Sequence, residues 1–265
     1  MSRSFSVPAM RRPLVECEKA LNRVCQRYQL FTPTNWQLLS VASGFLFVTI
    51  LFLALIACGF IPPLPPSWGA DKVYSHYHGH RKGIQAGAAM ILISSGLCLP
   101  YGAVISKQLR MIRDVDPILC DLSLVACGVG SVSFMMSSTF LGLATFRDYG
   151  PELTLLLSDL FWFTIVMQWP PFWIQCWTIT WAILSDRSSN PAFPRSLAIL
   201  NFIAPLALSS ATAIHLYHRG PYAWNGALSF WFAFVLFFAQ IALDLITIGR
   251  NVLEHRRLEF NERTI

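Results

Sequence analysis

Acidic residues beside and inside an apolar stretch are the groups best placed to do chemistry in this chain. The run Arg147-Asp148-Tyr149-Gly150-Pro151-Glu152 leads into a long apolar segment, and Asp159 lies within it. Pro151 suits the first helical position, where its missing N–H costs nothing. Glu152 and Asp159 are seven residues apart, so a helix presents both on one face, with Asp159 roughly 10 Å deeper. A carboxyl group at that depth is costly unless it faces a cavity or a partner, which makes it a candidate functional group by default. The role its chemistry offers is general acid, with Glu152 or Asp148 orienting it or acting as base. Asp121 and Asp244 sit near the ends of other apolar stretches and are read as interfacial acids paired with basic residues.

Histidine and tryptophan are the other two pointers. His76, His78 and His80 fall in Ser75–Lys82, read as a polar, exposed loop, and His215 and His218 open a second polar segment. Alternate spacing is a weak metal pattern; on a helix, His76 and His80 would share a face and His78 would not. The second segment continues through Gly220-Pro221 and Asn225-Gly226, both turn signals. Trp169, Trp173, Trp177 and Trp181 step by four residues, making a slowly winding stripe, with Trp162 upstream. Indole faces attract cations and could steady a carbocation without reacting with it, although aromatic rings also serve ordinary helix contacts. Pro170-Pro171 interrupts the same stretch and must kink it. Carbonyls freed by a kink are tolerated only where protein or a cavity satisfies them, and Gln168 and Gln175 flank the kink.

These groups need elements to hold them. Six apolar stretches run near 38–61, 84–106, 118–146, 153–184, 196–216 and 225–248, each long enough to cross a bilayer. The chain is 54% hydrophobic and 13% charged, against about 25% charged in a soluble domain. The expected fold is therefore all-α, a polytopic membrane helix bundle. Residues 1–36 form a cytosolic segment with an amphipathic helix, 37–249 the six-span domain and 250–265 a cytosolic tail. In the first segment Leu14, Cys17, Leu21, Val24, Tyr28 and Phe31 recur at helical spacing, which reads as a helix lying on the membrane or docked on loops. Thr32 is placed to cap the first span, and Pro62, Pro63, Pro65 and Pro66 to stop it. That span begins too late for a cleaved signal and is read as an anchor. Fifteen Lys and Arg residues fall on the side of the termini and five on the other, which places both termini in the cytosol. The net charge of +6 is this bias plus contact with anionic membrane lipid, not a nucleic-acid footprint. The seven cysteines show no spacing that indicates a disulfide framework or a zinc motif.

Several stretches together carry a family likeness. Ile61-Pro62-Pro63 followed by PSWGADKVYSHYHGHRKGIQAG (66–87), YGPELTLLLSDLFWF (149–163), PAFPRSLAILNF (191–202) and GPYAWNGALSFW (220–231) resemble small multi-pass membrane proteins of actinobacteria and filamentous fungi. Among these the chain is most similar to the membrane-bound terpene cyclases of fungal meroterpenoid pathways, of the ascofuranone type. The aspartate-rich motifs of soluble terpene synthases are absent. The resemblance implies acid-triggered opening of an epoxide, or protonation of an alkene, on a lipophilic prenylated aromatic, with no metal and no cofactor. Asp159, Glu152 and Asp148 would be the catalytic acids. Trp162, Trp169, His76, His215, Trp224 and Asn225 would line the substrate site. The expected compartment is the endoplasmic reticulum or another endomembrane. A homodimer, a non-catalytic adaptor or lipid-binding role, and a small transporter remain open at this point; many transporters show an internal repeat, and none is visible here.

The charge bias makes the orientation testable. A glycosylation acceptor placed in the 66–82 loop is expected to be modified and one fused after Ile265 is not; the reverse pattern in an acceptor scan overturns cytosolic termini.

Overall fold

The structure is a computed structural model, and it describes residues 11–28 and 31–264. It shows an all-α helical bundle, with no strand among the described residues. An isolated helix, α1 (Arg11–Tyr28), is followed by α2 (Pro33–Ala57), the short α3 (Ala70–Gly79), α4 (Arg81–Leu109) and α5 (Pro117–Phe146). The fourth apolar stretch is split into α6 (Gly150–Val166) and α7 (Pro170–Ser185). The fifth runs from α8 (Arg195–Leu208) into a 3₁₀ segment, Ser209–His215. The last begins as a π-helix, Ala227–Phe232, and continues as α9 (Ala233–Thr264). All six expected spans are present as helices long and apolar enough to cross a membrane. The chain is a multi-pass integral membrane protein.

Local sequence explains the boundaries. The Thr32 side chain accepts from Asn35 N–H at 3.2 Å and Pro33 takes the first turn of α2. Asp116 and Pro117 open α5 in the same way, with Asp116 accepting from Ile118 N–H at 3.0 Å. Pro170 and Pro171 start α7, and their missing N–H groups break the fourth span as expected. The segment read as an exposed histidine loop is instead helical, α3, capped by Gly69 and packed on α6 through buried Val73 and Tyr77. The side chains of α1 from Val15 to Val24 are exposed, Val15, Leu21 and Val24 among them. Its apolar face is therefore uncovered by the bundle. The side chains of Leu14 and Tyr28, part of the pattern expected there, lie outside the described residues.

The spans close into a ring. Successive neighbours pack as α2–α4–α5–α6/α7–α8–α9, and α9 returns against α2. Lipid provides no hydrophobic force between helices, so packing and interhelical hydrogen bonds must hold them. Five of these contacts have a polar bridge. Ser131 Oγ donates to Ser95 O at 2.7 Å, Ser138 Oγ to Ala88 O at 2.8 Å and Ser106 Oγ to Cys120 O at 2.9 Å, all between α4 and α5. Ser137 Oγ donates to Thr164 Oγ1 (α5–α6, 3.0 Å) and Thr180 Oγ1 to Ala198 O (α7–α8, 3.1 Å). Gln108 Nε2 donates to Gln37 Oε1 (α4–α2, 2.9 Å) and Asn201 Nδ2 to Asp244 Oδ1 (α8–α9, 2.8 Å). Asp121 pairs with Arg110, as expected of an interfacial acid.

Gly83 and Gly87 let α4 approach the end of α2. A methyl group at Gly83 would run into the Ala57 carbonyl oxygen, and one at Gly87 into the Cys58 sulfur. Gly83→Ala is therefore expected to destabilise by about 1–3 kcal/mol through overpacking. Gly96→Ala, which meets no atom within 4 Å, should be neutral or stabilising by up to about 1 kcal/mol. Thermal unfolding of both variants in detergent checks the contrast; equal midpoints would mean the helix contact is not constrained there.

Candidate functional site

The ring of spans lines a partly open cavity of about 150 Å³. Its walls are predominantly aromatic: Phe47 and Phe134 from α2 and α5, Trp162 from α6, Trp169 and Phe172 at the α6–α7 break, and Phe230, Phe234, Phe237 and Phe238 from the π-helix and α9. The three irregular segments of backbone all meet this space. The α6–α7 break contributes Gln168 and Trp169, the 3₁₀ segment Ala211, and the π-helix Ser229 and Phe230. Trp169 Nε1 donates to Thr212 Oγ1 at 3.1 Å, which ties the break to the 3₁₀ segment. Ser229 Oγ donates to the carbonyls of Ser210 (3.2 Å) and Tyr222 (3.1 Å), which ties the π-helix to the 3₁₀ segment and to the loop that follows it. Irregular backbone at membrane depth is expected only where protein covers it or a cavity adjoins it, and both conditions hold here.

Polar groups stand at the two ends of the cavity. At the end remote from the termini, Trp162 is fully buried and its Nε1–H has no partner among the described residues. At the other end the wall is Tyr101, Cys98, Cys127 and Gln175. The Gln175 amide faces the Cys127 sulfur, yet its Nε2 finds no partner of hydrogen-bond geometry. Behind Tyr101 lies a fully buried carboxyl group, Asp244, within electrostatic reach of the Tyr101 hydroxyl. Asp244 Oδ1 accepts from Asn201 Nδ2 and Oδ2 from Gln240 Nε2, and Gln240 Nε2 also donates to Asn201 Oδ1 at 2.9 Å.

This corrects the reading of Asp244 as an interfacial acid. The helix runs on to Thr264, well past the apolar stretch, so Asp244 lies inside it and pairs with amides rather than a cation. The signal that could have found this cluster is the pairing of Gln240 with Asp244 one turn later, together with Asn201 inside the preceding span. The Cys98–Cys127 contact was invisible for a different reason, since 29 residues separate the two positions.

The residues singled out from the sequence divide between this cavity and the far end of the bundle. Trp162 and Trp169 line the cavity. Trp224 does not; it is buried, stacks on Trp162 at 6.2 Å and donates from Nε1 to Leu64 O at 2.7 Å, pinning the fifth loop to the proline run. Trp173 and Trp177 meet at a tilt with their rings 4.0 Å apart, Trp177 stacks on Phe202 of α8, and Trp181 is exposed, so the stripe divides between the cavity, the α7–α8 contact and the outer surface. Asp159 is half-buried outside the cavity, within electrostatic reach of His218. Asp148 is exposed and accepts from Tyr74 Oη at 3.0 Å and Gly150 N–H at 3.1 Å. These donors, the Gly150 amide first, hold its carboxyl below the ordinary range. Glu152 is exposed, His215 is exposed in an outer groove beside Tyr222, and Asn225 is half-buried in the turn. Asp148 shares a groove with His78 and Asp159 lies near His218, so acids and histidines pair in separate places rather than forming one cluster.

On α3 the histidines part as helical spacing requires. His76 and His80 stack at 4.3 Å while His78 stacks on Tyr74 at 5.8 Å. No three His, Cys, Asp or Glu side chains come together to hold a metal among the described residues. No protein-family model, curated protein or solved structure matches this chain.

His76 is half-buried against Phe60, with Nε2–H donating to Cys58 O at 3.1 Å. Burial lowers its pKa below the ordinary 6.5; the carbonyl opposes this and His80 adds to it. A depressed histidine contributes stability above its unfolded value and loses it as pH falls through the folded one. The melting midpoint in detergent is thus expected to fall between about pH 7 and pH 5, and to fall less in His76→Gln. Identical pH profiles would exclude His76 as the source.

Proposed function

We propose that this protein is a membrane-bound cyclase that opens an epoxide, or protonates an alkene, at the end of a prenyl chain on an aromatic precursor and closes a ring. The observation that carries the reading is the aromatic cavity inside the bundle, with a buried carboxyl group behind its wall. A prenyl chain partitions into the bilayer and needs no aqueous route. A cavity of about 150 Å³ is the size that encloses a benzene-like group, so it suits the reacting terminus while the rest of the substrate extends toward lipid. Orphaned Trp162 and Gln175 N–H groups favour a terminus that bears an oxygen acceptor, hence the epoxide over the plain alkene.

In this reading Asp244 is the proton reservoir and Tyr101, on the cavity wall, the group that delivers the proton. The epoxide C–O bond breaks as its oxygen is protonated. The nearby alkene attacks the cationic carbon, and the faces of Trp162, Trp169 and Phe230 stabilise the charge without reacting. Loss of a proton to the carboxylate formed at Asp244 ends the cycle with no net proton consumed, an isomerisation. Asp159, outside the cavity wall, takes no direct part. With cytosolic termini, as the basic bias favours, the acid lies toward the cytosolic leaflet; the endoplasmic reticulum or another endomembrane is the natural site.

The test is turnover of a farnesylated phenol carrying a terminal epoxide, in microsomes that express the chain. Asp244→Asn is expected to lower it by about 100-fold or more, the usual worth of a general acid, and Tyr101→Phe to lower it as well. Asp159→Asn should stay within about threefold of wild type. Turnover should persist in EDTA, because the buried acids are scattered and form no shared oxygen-ligand set. Full activity of a folded Asp244→Asn protein overturns the acid assignment. Loss in EDTA restored by one added metal overturns the protonation mechanism. Binding of the substrate without turnover by wild type would instead favour a lipid-binding protein.

A further inference from the structure

We propose that Cys98 and Cys127 form a reversible dithiol–disulfide site in the wall of the cavity. The two residues come from α4 and α5 and their sulfurs lie 3.5 Å apart. Both are buried, at 5% and 3% exposure, and both line the cavity. Gly102 makes the approach possible, since a side chain there would strike the Cys127 sulfur and Cβ. This is the sulfur–sulfur contact among the described residues, whose cysteines are all free. A disulfide needs sulfurs at about 2.05 Å, so closure takes roughly 1.5 Å of side-chain movement.

Counting hydrogens shows which sulfur reacts. Each thiol has one proton. Cys127 Sγ donates its own to Cys98 O at 3.4 Å. The S–H···S contact must then use the Cys98 proton, leaving Cys127 sulfur as acceptor. The Gln175 amide also faces that sulfur. Negative charge developing on Cys127 as it attacks is thus met by the Cys98 S–H.

The oxidant is a peroxide small and neutral enough to enter the bilayer. The Cys127 sulfur attacks a peroxide oxygen, the O–O bond breaks, and the leaving hydroxide takes the thiol proton as water. The sulfenic acid on Cys127 is then attacked by Cys98 sulfur; the S–S bond forms, the S–O bond breaks, and the second water leaves with the Cys98 proton. Two thiols lose two electrons and one peroxide becomes two waters. A dithiol reductant reverses the step by exchange. The link joins α4 to α5 at the cavity and holds that wall fixed, whatever the cavity binds.

The full chain in detergent, treated with hydrogen peroxide and then alkylated under denaturing conditions, reports the link by non-reducing peptide mapping. A cross-linked peptide pair containing Cys98 and Cys127, lost on adding dithiothreitol, is expected. Phenylarsine oxide gives an independent reading on the reduced protein, since its arsenic bridges two close thiols with release of water. One adduct is expected on wild type, resistant to monothiols and removed by dithiols, and none on Cys98→Ala or Cys127→Ala. Peroxide that leaves both residues alkylatable, or links either to another cysteine, overturns the proposal. So does a wild type that forms no bridged adduct.

Discussion

A backbone amide in hydrocarbon has no water to bond, and that constraint organises this bundle. Regular helix satisfies it for most of each span, but three segments depart from regularity: the α6–α7 break, the 3₁₀ turn at Ser209–His215 and the π-helix at Ala227–Phe232. All three face the same cavity, and they are tied to one another by Trp169–Thr212 and by Ser229 to Ser210 and Tyr222. The cavity and the broken helices are therefore one feature. A kink displaces backbone, displaced backbone leaves space, and space is tolerated at depth only if protein seals it from lipid.

The polar groups of the interior divide by what they contact. Serine and threonine hydroxyls bridge neighbouring spans and spend their hydrogen bonds on carbonyls one helix away. These bonds hold the ring closed where hydrophobic force between helices is absent. Trp162 and Gln175 differ, because each leaves a donor unpaired at the cavity wall. In a folded interior an unpaired donor is costly, so these two contacts are satisfied only when something with an acceptor occupies the space.

Much of the architecture was legible in the sequence because bilayer thickness and proline chemistry act locally. Span number follows from unbroken apolar runs, and the Pro170-Pro171 break and the Thr32 cap from residues within a turn of one another. The site was legible only in part. Trp162 and Trp169 stood out by type, and both reach the cavity. Asp159 stood out by apparent depth, yet depth along a helix does not say which face the ring turns inward. Asp244 lies near the end of an apolar run and so reads as an interfacial acid; its place in the interior depends on Asn201 and Gln240, and on a helix that continues beyond that run. The α3 histidines were read as a loop because their polarity masks a helix whose short apolar side packs on α6.

The chemistry of Asp244 separates a structural from a catalytic reason for its presence. As a purely structural bridge between α8 and α9, an amide would serve: Asn201 and Gln240 already form such a bond, Nε2 to Oδ1 at 2.9 Å. A carboxyl group at the same place receives two N–H donors and no cation, so its charged form gains hydrogen bonds but no ion-pair energy to offset desolvation. The Oε1 of Gln240 is buried without a donor; a flip of this amide would turn it from a donor to the Asp244 carboxylate into an acceptor for the Asp244 proton. The surroundings thus accommodate both protonation states, one for each orientation of the Gln240 amide. A network that only had to hold two helices together gains nothing from that freedom. A group that gives a proton to a dry cavity and takes one back requires it.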